Sequence, residues 1–200
     1  MWNCGLGWYN SLVMDDVSNF QIRAKLRGYP LEFKTERDLF SYKVIDEGTK
    51  LLIDEIEIPE GGTCLDLGCG YGAIGVTMAK LNPRGKNYLV DKDFVATECA
   101  RENCELNGVT NTEVVLSNGF SHINNIKFDL IASNLPTHVS KETRMQFFKD
   151  AKKQLNPGGK IYVVTVNKIK PYIERTFEEV FGNYTKGTHD KTYTVSWATG

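Results

Sequence analysis

The spacing of hydrophobic residues changes several times along this chain of 200 residues. Apolar and polar residues alternate from Phe20 to Phe33, with a break at Arg27-Gly28, which predicts a β-hairpin extension over residues 20–37. The apolar positions then recur at helical spacing, which predicts a helix over residues 44–56. Residues 1–19 show no clear period, and we treat them as an N-terminal lead-in.

From residue 63 onward, short apolar runs alternate with helical patterns, so we expect one domain over residues 20–200. The sheet is predicted to be Rossmann-like, open and mostly parallel, with helices on both faces and antiparallel strands at its C-terminal end. The predicted strands are the apolar run that contains Cys64, Leu65 and Leu67, then 88–90, 113–116, 128–133 and 160–166, followed by an antiparallel pair near 184 and 193–197. The predicted helices beyond the first strand are one that follows residue 72 and those at 94–107, 141–155 and 171–181, and residues 156–159 are predicted to turn.

The composition sets broad limits on function. Hydrophobic residues make up 41% of the chain and charged residues 24%, which is typical of an ordinary globular protein, and the net charge of −1 gives no general attraction to nucleic acid. No apolar run is long enough to span a membrane and no secretory signal is evident, so we expect a cytoplasmic protein without a membrane partner.

Five cysteines occur, without a CxxC pair or a histidine cluster, so neither a disulfide framework nor a metal site is expected. Cys64 falls in a predicted core strand. Cys99 shares a helical apolar stripe with Val95 and Leu106, which predicts that all three side chains are buried.

The stretch TCLDLGCGYGAIG, residues 63–75, carries the strongest functional signal. An apolar run ends in Asp66, and the glycines that follow permit positive φ and let a ligand lie against the backbone. A dinucleotide fingerprint and the acid-plus-glycine signature of S-adenosylmethionine binding both fit these letters. Asp66 favours the second reading, because a carboxylate repels a pyrophosphate but attracts an ammonium and a sulfonium. A role as a simple cap of the turn or helix is the remaining alternative.

Polar residues end each of the next three predicted strands, at the edge where such sheets bind their ligands. Asp91 can accept hydrogen bonds from both ribose hydroxyls, Asn118 can meet an adenine amino group, and Asn134 ends the fourth strand. Asp93 is expected to cap the next helix. The complete set of expected cofactor-binding residues is Asp66, Gly68, Cys69, Gly70, Gly72, Asp91, Lys92, Asn118 and Gly119, of which Cys69 is expected to contact the ligand through its backbone.

Several segments together resemble the class I S-adenosylmethionine methyltransferases: LDLGCGYGAIG with its downstream Asp91, then ARENCELNG, FDLIASNLP and LNPGGKIYVV. The hairpin followed by LFSYKVIDEGTKLL is similar, more narrowly, to small-domain enzymes related to those that methylate the guanine amino group in small-subunit ribosomal RNA. This resemblance covers about residues 20–197. It implies S-adenosylmethionine as cofactor, with Asp66 and the glycines at its methionine end, Asp91 at the ribose and Asn118, where the family usually has Asp, at the adenine.

The same resemblance implies that Asn134, Leu135 and Pro136 are the catalytic residues, because they align with the family's Asn-Pro-Pro-aromatic signature. The Asn134 side-chain oxygen and the Leu135 carbonyl would then accept hydrogen bonds from the amino group that is methylated. Leu135 stands in place of the first proline and Thr137 in place of the aromatic residue. Candidate substitutes for that aromatic ring are Trp2, Trp8, Phe40, Tyr42 and His138.

The implied function is N-methylation of a guanine amino group, with ribosomal RNA as substrate and partner. Arg23, Lys25 and Arg27, on the polar side of the hairpin, are candidates for contacts to RNA phosphates. The alternatives are methyl transfer to a small molecule or a protein, and cofactor binding without turnover.

Overall fold

The computed structural model describes residues 20–136 and 139–200. The predicted lead-in 1–19, with Trp2 and Trp8, lies outside the described residues, as do Thr137 and His138. The strands are β1 Phe20–Leu26, β2 Tyr29–Thr35, β3 Thr63–Leu67, β4 Lys86–Asp91, β5 Thr112–Leu116, β6 Phe128–Asn134, β7 Leu155–Val166, β8 Thr185–His189 and β9 Tyr193–Thr199. The α-helices are α1 Glu47–Glu55, α2 Ala73–Leu81, α3 Phe94–Leu106, α4 Lys141–Gln154 and α5 Lys170–Phe181, and a short 3-10 helix Asn167–Ile169 precedes α5.

Seven strands form one twisted sheet in the order β5-β4-β3-β6-β7-β9-β8, and β1 and β2 form a separate hairpin. Strands β3 to β7 run parallel, whereas β9 is antiparallel to both of its neighbours. The strand order reverses between β3 and β6, which is where ligands bind in sheets of this kind. The predicted fold class is therefore confirmed, including the hairpin and the antiparallel strands at the C-terminal end.

Successive side chains of the central strands enter two hydrophobic clusters, one on each face of the sheet. Cys64 packs with α1, α2, α3 and the hairpin, while its neighbour Leu65 packs with α4 and α5. This arrangement explains why the β3 sequence is almost continuously apolar rather than alternating. Within the described residues, no helix is long and apolar enough to cross a membrane.

Two asparagines, Asn103 in α3 and Asn107 at its C-cap, hold the hairpin against the rest of the domain. The Asn103 side chain accepts from the Lys34 amide (2.7 Å) and donates to the Lys34 carbonyl (2.8 Å). Asn107, one helical turn later, makes the same pair of bonds to the amide and carbonyl of Glu32, at 3.0 and 2.7 Å. The two side chains thus satisfy the outer backbone groups of β2 as a neighbouring strand would. Asn103 also donates to the carbonyl of Tyr71 in the glycine-rich turn (2.8 Å).

Arg27 has a structural partner that the sequence analysis did not foresee. Its guanidinium donates to the carbonyls of Ile53 (2.9 Å), Asp54 (3.3 Å) and Ile56 (3.1 Å) at the C-terminal end of α1. A cation there satisfies carbonyls that lack partners within the helix and complements its dipole. Arg27 therefore ties the hairpin turn to α1, which makes it a poor candidate for an RNA phosphate contact.

The two largest errors in the predicted boundaries concern α1 and β7. Helix α1 begins at Glu47 rather than at residue 44, because Asp46 is its N-cap and accepts a hydrogen bond from the Thr49 amide. Residues 156–159, predicted as a turn after a helix ending at Leu155, belong to β7, where a register shift opposite Phe128/Leu130 accommodates the extra residues.

The apolar stripe predicted for α3 was also wrong in two of its three members. Cys99 is buried, but Val95 and Leu106 are 38% and 43% exposed. The buried face of α3 instead contains small residues and Asn103, since this face lies against the hairpin and the glycine-rich turn.

Replacing Arg27 with alanine should lower the free energy of unfolding by ~1–2 kcal/mol, because carbonyls at the end of α1 lose a charged donor in a partly exposed setting. Urea denaturation followed by circular dichroism measures this loss. The control Lys25→Ala removes an exposed cation from the same hairpin and should change stability by less than ~0.5 kcal/mol. Equal midpoints for both variants would contradict the assignment of Arg27 as an anchor.

Candidate active site

The amide groups of the glycine-rich turn after β3 donate mainly to backbone carbonyls of the protein. Gly68, Gly70 and Gly72 have φ values of +78°, +53° and +92°, which glycine adopts without strain. The amides of Gly68 and Cys69 both donate to the Val90 carbonyl (2.8 and 2.9 Å), and that of Gly72 donates to the Cys69 carbonyl (2.8 Å). A cradle for a pyrophosphate needs free amides, and these three are already bonded. The expected backbone contact of Cys69 with a ligand therefore excludes its amide.

Asp66, at the C-terminal end of β3, is completely buried. Its Oδ2 accepts from the Gly75 amide in the first turn of α2 (2.8 Å), so the carboxylate caps that helix from a distance. Its Oδ1 is buried and has no hydrogen-bond partner among residues 20–136 and 139–200. Burial raises the pKa of Asp66 to about 7, with the charge of Asp91 adding to this rise and the Gly75 bond opposing it. An unpaired buried carboxylate oxygen is costly and would be stabilised by a cationic ligand.

Asp91 ends β4 beside the glycine-rich turn and is half-buried. Its Oδ2 accepts from the Gly70 amide (2.9 Å) and its Oδ1 from the Asp93 amide (3.0 Å). Each oxygen keeps a further lone pair, so the carboxylate can still accept from two hydroxyl groups. Asp93 caps α3 as predicted, by accepting from the Val95 and Ala96 amides.

The turn after β5 is organised by Ser117, a buried residue that the sequence analysis missed. Its amide donates to the Asp91 carbonyl (2.8 Å), which joins this turn to the end of β4. Its hydroxyl donates to the Gly119 carbonyl (2.9 Å) and accepts from the His122 amide (3.0 Å). The Asn118 side chain is exposed in this turn. The signal that could have identified Ser117 in the sequence is a serine two residues before the glycine of a turn.

Exposed apolar side chains flank Asp91. Leu116 is the register partner of Asp91 on the neighbouring strand and is 40% exposed, and Phe94 at the start of α3 is 62% exposed. Lys92, between Asp91 and Phe94 in the chain, is exposed as well. These side chains offer an apolar surface beside a hydrogen-bonding carboxylate, which suits a flat aromatic base attached to a ribose.

Asn134 ends β6, two residues beyond Ala132, which is the register partner of Asp66. Its Nδ2 donates to Asp46 Oδ2 (3.1 Å) and to Thr49 Oγ1 (2.9 Å). Because a carboxylate at neutral pH can only accept, these bonds identify the nitrogen as the inward atom of the amide. The side-chain oxygen is left as the acceptor.

The residues after Asn134 depart from the expected proline-rich pattern, but they are held in place. Leu135 is buried and donates its amide to the Val164 carbonyl (3.1 Å), which extends the pairing of β6 with β7. A proline has no amide hydrogen and cannot make this bond. Pro136 is exposed. Thr137, which stands in place of the family's aromatic residue, lies outside the described residues.

Asp46 is the main residue of the site that the sequence analysis missed. Its Oδ2 accepts from Thr49 and Asn134, and its Oδ1 accepts from the Tyr193 hydroxyl (2.9 Å). Burial and the bond to Asp46 raise the pKa of Tyr193 to about 12. Gly48 lies so close to Asp46 and to the Tyr193 ring that a Cβ would come within 2.9 Å of both. The N-terminus of α1, the end of β6 and the start of β9 therefore meet at one carboxylate.

No cluster of three or more His, Cys, Asp or Glu side chains suited to a metal ion occurs within residues 20–136 and 139–200. The described cysteines, Cys64, Cys69, Cys99 and Cys104, are free and buried.

A doubly wound sheet with an acid and a glycine-rich turn at its reversal point defines the class of Rossmann-like methyltransferase folds. The family described as "Methyltransferase small domain" matches residues 30–196, and the chain belongs to this family.

Three proteins illustrate the similarity. The chain is 33% identical over 160 residues to the "Uncharacterized protein YbxB" of Bacillus subtilis, covering 78% of this chain and 80% of that protein. It is 33% identical to the ribosomal RNA small subunit methyltransferase C of Hamiltonella defensa, covering 98% of this chain and 58% of that enzyme. The solved T. thermophilus 16S rRNA N2 G1207 methyltransferase, in complex with AdoMet and guanosine, superposes with a TM-score of 0.83 at 24% identity, over 91% of this chain and 50% of that one. The chain thus spans little more than half of the two named methyltransferases.

Asp66→Asn should stabilise the protein without ligand, and more so at pH 8 than at pH 5. The folded-state pKa of about 7 lies above the ordinary value of 3.8, so the folded protein binds this proton more tightly than the unfolded chain does. Stability that depends on this proton is present at low pH and is lost as the pH rises through about 7. The amide keeps the bond to Gly75 and carries no charge. Urea unfolding of both proteins at the two pH values tests this, and an equal difference at both pH values would contradict it.

Proposed function

We propose that this protein is an S-adenosylmethionine-dependent methyltransferase that methylates the exocyclic amino group of a guanine in ribosomal RNA. The observation that carries the proposal is the fixed orientation of the Asn134 amide, whose oxygen is presented as an acceptor near the buried acid Asp66. We also propose that residues 20–200 form the methyltransferase domain, with residues 20–37 as its extension. The proposed substrate implies a cytoplasmic site of action.

The cofactor residues follow from the chemistry of the strand ends. The unpartnered Oδ1 of Asp66 fits an ammonium or a sulfonium, and Asp91 retains acceptor capacity for two ribose hydroxyls. Phe94 and Leu116 offer apolar surface to an adenine, and Asn118 offers an amide. The remaining proposed members of the cofactor site are Gly68, Cys69, Gly70, Gly72, Lys92 and Gly119.

The bonded amides of the glycine-rich turn argue against a nicotinamide dinucleotide in this site. Its pyrophosphate would find occupied amides and two carboxylates, Asp66 and Asp91. The residues present therefore fit a cationic adenosyl ligand better than an anionic dinucleotide.

At the acceptor side, Asn134, Leu135 and Pro136 are proposed to hold the amino group that is methylated. When bound, the cofactor supplies an electrophilic methyl group, which the amino nitrogen takes up with release of S-adenosylhomocysteine and one proton. The protein's task is to orient the nitrogen lone pair, and the Asn134 side-chain oxygen and the Leu135 carbonyl would do so by accepting its hydrogens. The bond from the Leu135 amide to Val164 keeps this backbone rigid.

Ribosomal RNA as substrate is supported by the similarity to the H. defensa and T. thermophilus proteins, both of which are named as ribosomal RNA methyltransferases, and the second of which was solved with guanosine. The hairpin adds little to this support, since Arg27 binds α1 and Arg23 pairs with Glu32 at 3.3 Å. A small-molecule or protein acceptor is the second candidate, favoured by Thr137 in the position where an aromatic ring would stack on a base.

The proposed function is tested by incubating the protein with methyl-labelled S-adenosylmethionine and unmodified ribosomal RNA of each subunit. Digestion to nucleosides should yield labelled N2-methylguanosine. Protein extract and a metabolite pool serve as parallel acceptors. Label in either of these and none in RNA would favour the second candidate, and no transfer to any acceptor would favour cofactor binding without turnover.

Asp91→Ala should weaken S-adenosylmethionine binding by ~1.5–3 kcal/mol, the loss expected for a charged hydrogen-bond partner. Isothermal titration calorimetry measures this change, with NAD as a ligand that should not bind. Asp93→Asn is the matched control, because asparagine caps a helix as well as aspartate does. An unchanged affinity in Asp91→Ala would show that this carboxylate does not hold the ribose.

Asn134→Ala should lower the single-turnover rate of methyl transfer by about 100-fold, since small errors in position near the reacting atoms cost this much. Cofactor affinity should stay within about tenfold of the wild type, ~1.4 kcal/mol. Rapid-quench measurements at saturating cofactor separate the two effects. Asn125→Ala makes the same change at an exposed site and should behave as wild type. Equal rates in Asn134→Ala and wild type would exclude Asn134 from the chemistry.

A further inference from the structure

Asp46 makes more hydrogen bonds than a helix N-cap requires, and the additional ones come from Asn134 and Tyr193. An N-cap requires one side-chain acceptor for a free amide of the first turn, and Asp46 Oδ2 meets it with the Thr49 amide at 3.2 Å. The same oxygen also accepts from Asn134 Nδ2 at 3.1 Å, and the second oxygen accepts from the Tyr193 hydroxyl at 2.9 Å. These two bonds join segments that lie 88 and 147 residues away in the chain.

The two partners of the Asn134 amide differ in what they impose on it. The Thr49 hydroxyl can accept from the nitrogen, as it does at 2.9 Å, but it could equally donate to an oxygen in the same place. The Asp46 carboxylate can only accept, so it allows a single orientation of the amide. Asp46 therefore decides which end of Asn134 is presented to the acceptor group.

We propose that Asp46 is a positioning and specificity-determining residue, which holds the Asn134 amide so that only an acceptor group carrying an N–H donor is accommodated. This inference rests on the proposed function and adds to it a residue outside the Asn134–Pro136 segment. A ring carbonyl in the same place would face the Asn134 oxygen and be repelled. An amino group instead donates to that oxygen, and its lone pair is left for the methyl group.

The Tyr193 hydroxyl restrains the other oxygen of Asp46, which fixes the rotation of the carboxylate. Tyr193 begins β9, the strand that, within the described residues, runs opposite to the other six strands of the seven-stranded sheet. The close approach of Gly48 lets the Tyr193 ring lie against α1. The reversed strand thus contributes indirectly to the acceptor side of the site.

Asp46→Ser and Asp46→Asn separate positioning from helix capping and from charge. Serine caps a helix about as well as aspartate, but its shorter side chain cannot hold both the Thr49 amide and Asn134. Asparagine can place its oxygen at the Oδ2 position, where it still accepts from both, and direct its NH2 group to the Tyr193 oxygen. It therefore keeps the orientation of Asn134 while it removes the charge.

We expect Asp46→Ser to reduce the single-turnover rate on the RNA acceptor by ~10–100-fold, as a positioning error does, with cofactor Kd unchanged. Asp46→Asn should regain most of that rate. Thr49→Val, which removes only the permissive partner, should lose less than Asp46→Ser does. A wild-type rate in Asp46→Ser would overturn the proposal. So would an Asp46→Asn variant as slow as Asp46→Ser, because the charge of Asp46 rather than the orientation of Asn134 would then matter.

A double-mutant cycle distinguishes positioning from a general loss of structure. In an Asn134→Ala background there is no amide to orient, so Asp46→Ser should have no further effect on the rate. A structural role of Asp46 would instead lower the rate by the same factor in both backgrounds. Glu47→Ser, one residue along in the same helical turn, is the control for the cycle.

A measurement that needs no substrate keeps this inference separate from the proposed function. In ¹⁵N–¹H spectra, the Asn134 side-chain amide, assigned by its absence in Asn134→Ala, should give two resolved and slowly exchanging protons in wild type and in Asp46→Asn. In Asp46→Ser those protons should exchange faster. Unaltered exchange in Asp46→Ser would refute the role of Asp46 even if the wild type is active. An inactive wild type with the expected spectra would refute only the proposed substrate.

Discussion

A carboxyl group without access to water, at the end of the central strand, is the constraint on which the rest of this structure depends. Asp66 is completely buried, and one of its oxygens accepts from the Gly75 amide at the start of α2. The other oxygen lacks a partner within the described residues, so the fold carries an unfavourable interaction at its centre. Proteins retain such groups where a ligand of opposite charge relieves the cost.

Hydrogen bonds hold the residues around Asp66 in place, but none of them satisfies its second carboxylate oxygen within the described residues. The amides of Gly68 and Cys69 donate to the Val90 carbonyl and that of Gly70 donates to Asp91, so none of these three bonds reaches Asp66. The neighbouring strand β6 is secured by the bond from the Ser133 hydroxyl to the Leu67 carbonyl (2.7 Å), which ties the two strands at the reversal point. The proposed cofactor and acceptor sides are thereby built on adjacent strands, and strands hold side chains more precisely than loops do.

Local patterns were sufficient to predict the fold and the strand-end residues, because glycines, acids and apolar runs act within a few positions of one another. Asp66 and Asp91 could be named as candidates for that reason. Asp46 could not be found in this way, since its partners Asn134 and Tyr193 come from distant segments. The wrongly predicted stripe of α3 has a similar cause. Helical spacing identifies an apolar face of the helix, but it does not show which face the hairpin covers. The covered face contains Asn103 and not Leu106.

The asparagines at the C-terminal end of α3, Asn103 and the C-cap Asn107, have a consequence for how the domain opens. Because the Asn103 side chain bonds both to Lys34 of β2 and to the Tyr71 carbonyl, detaching the hairpin removes two bonds that orient the side chain holding this carbonyl of the glycine-rich turn. The hairpin and the turn should therefore open as one cooperative unit, with similar amide hydrogen-exchange rates, although they are far apart in the sequence. A ligand held by the turn would then slow exchange throughout the hairpin, a surface that it does not touch.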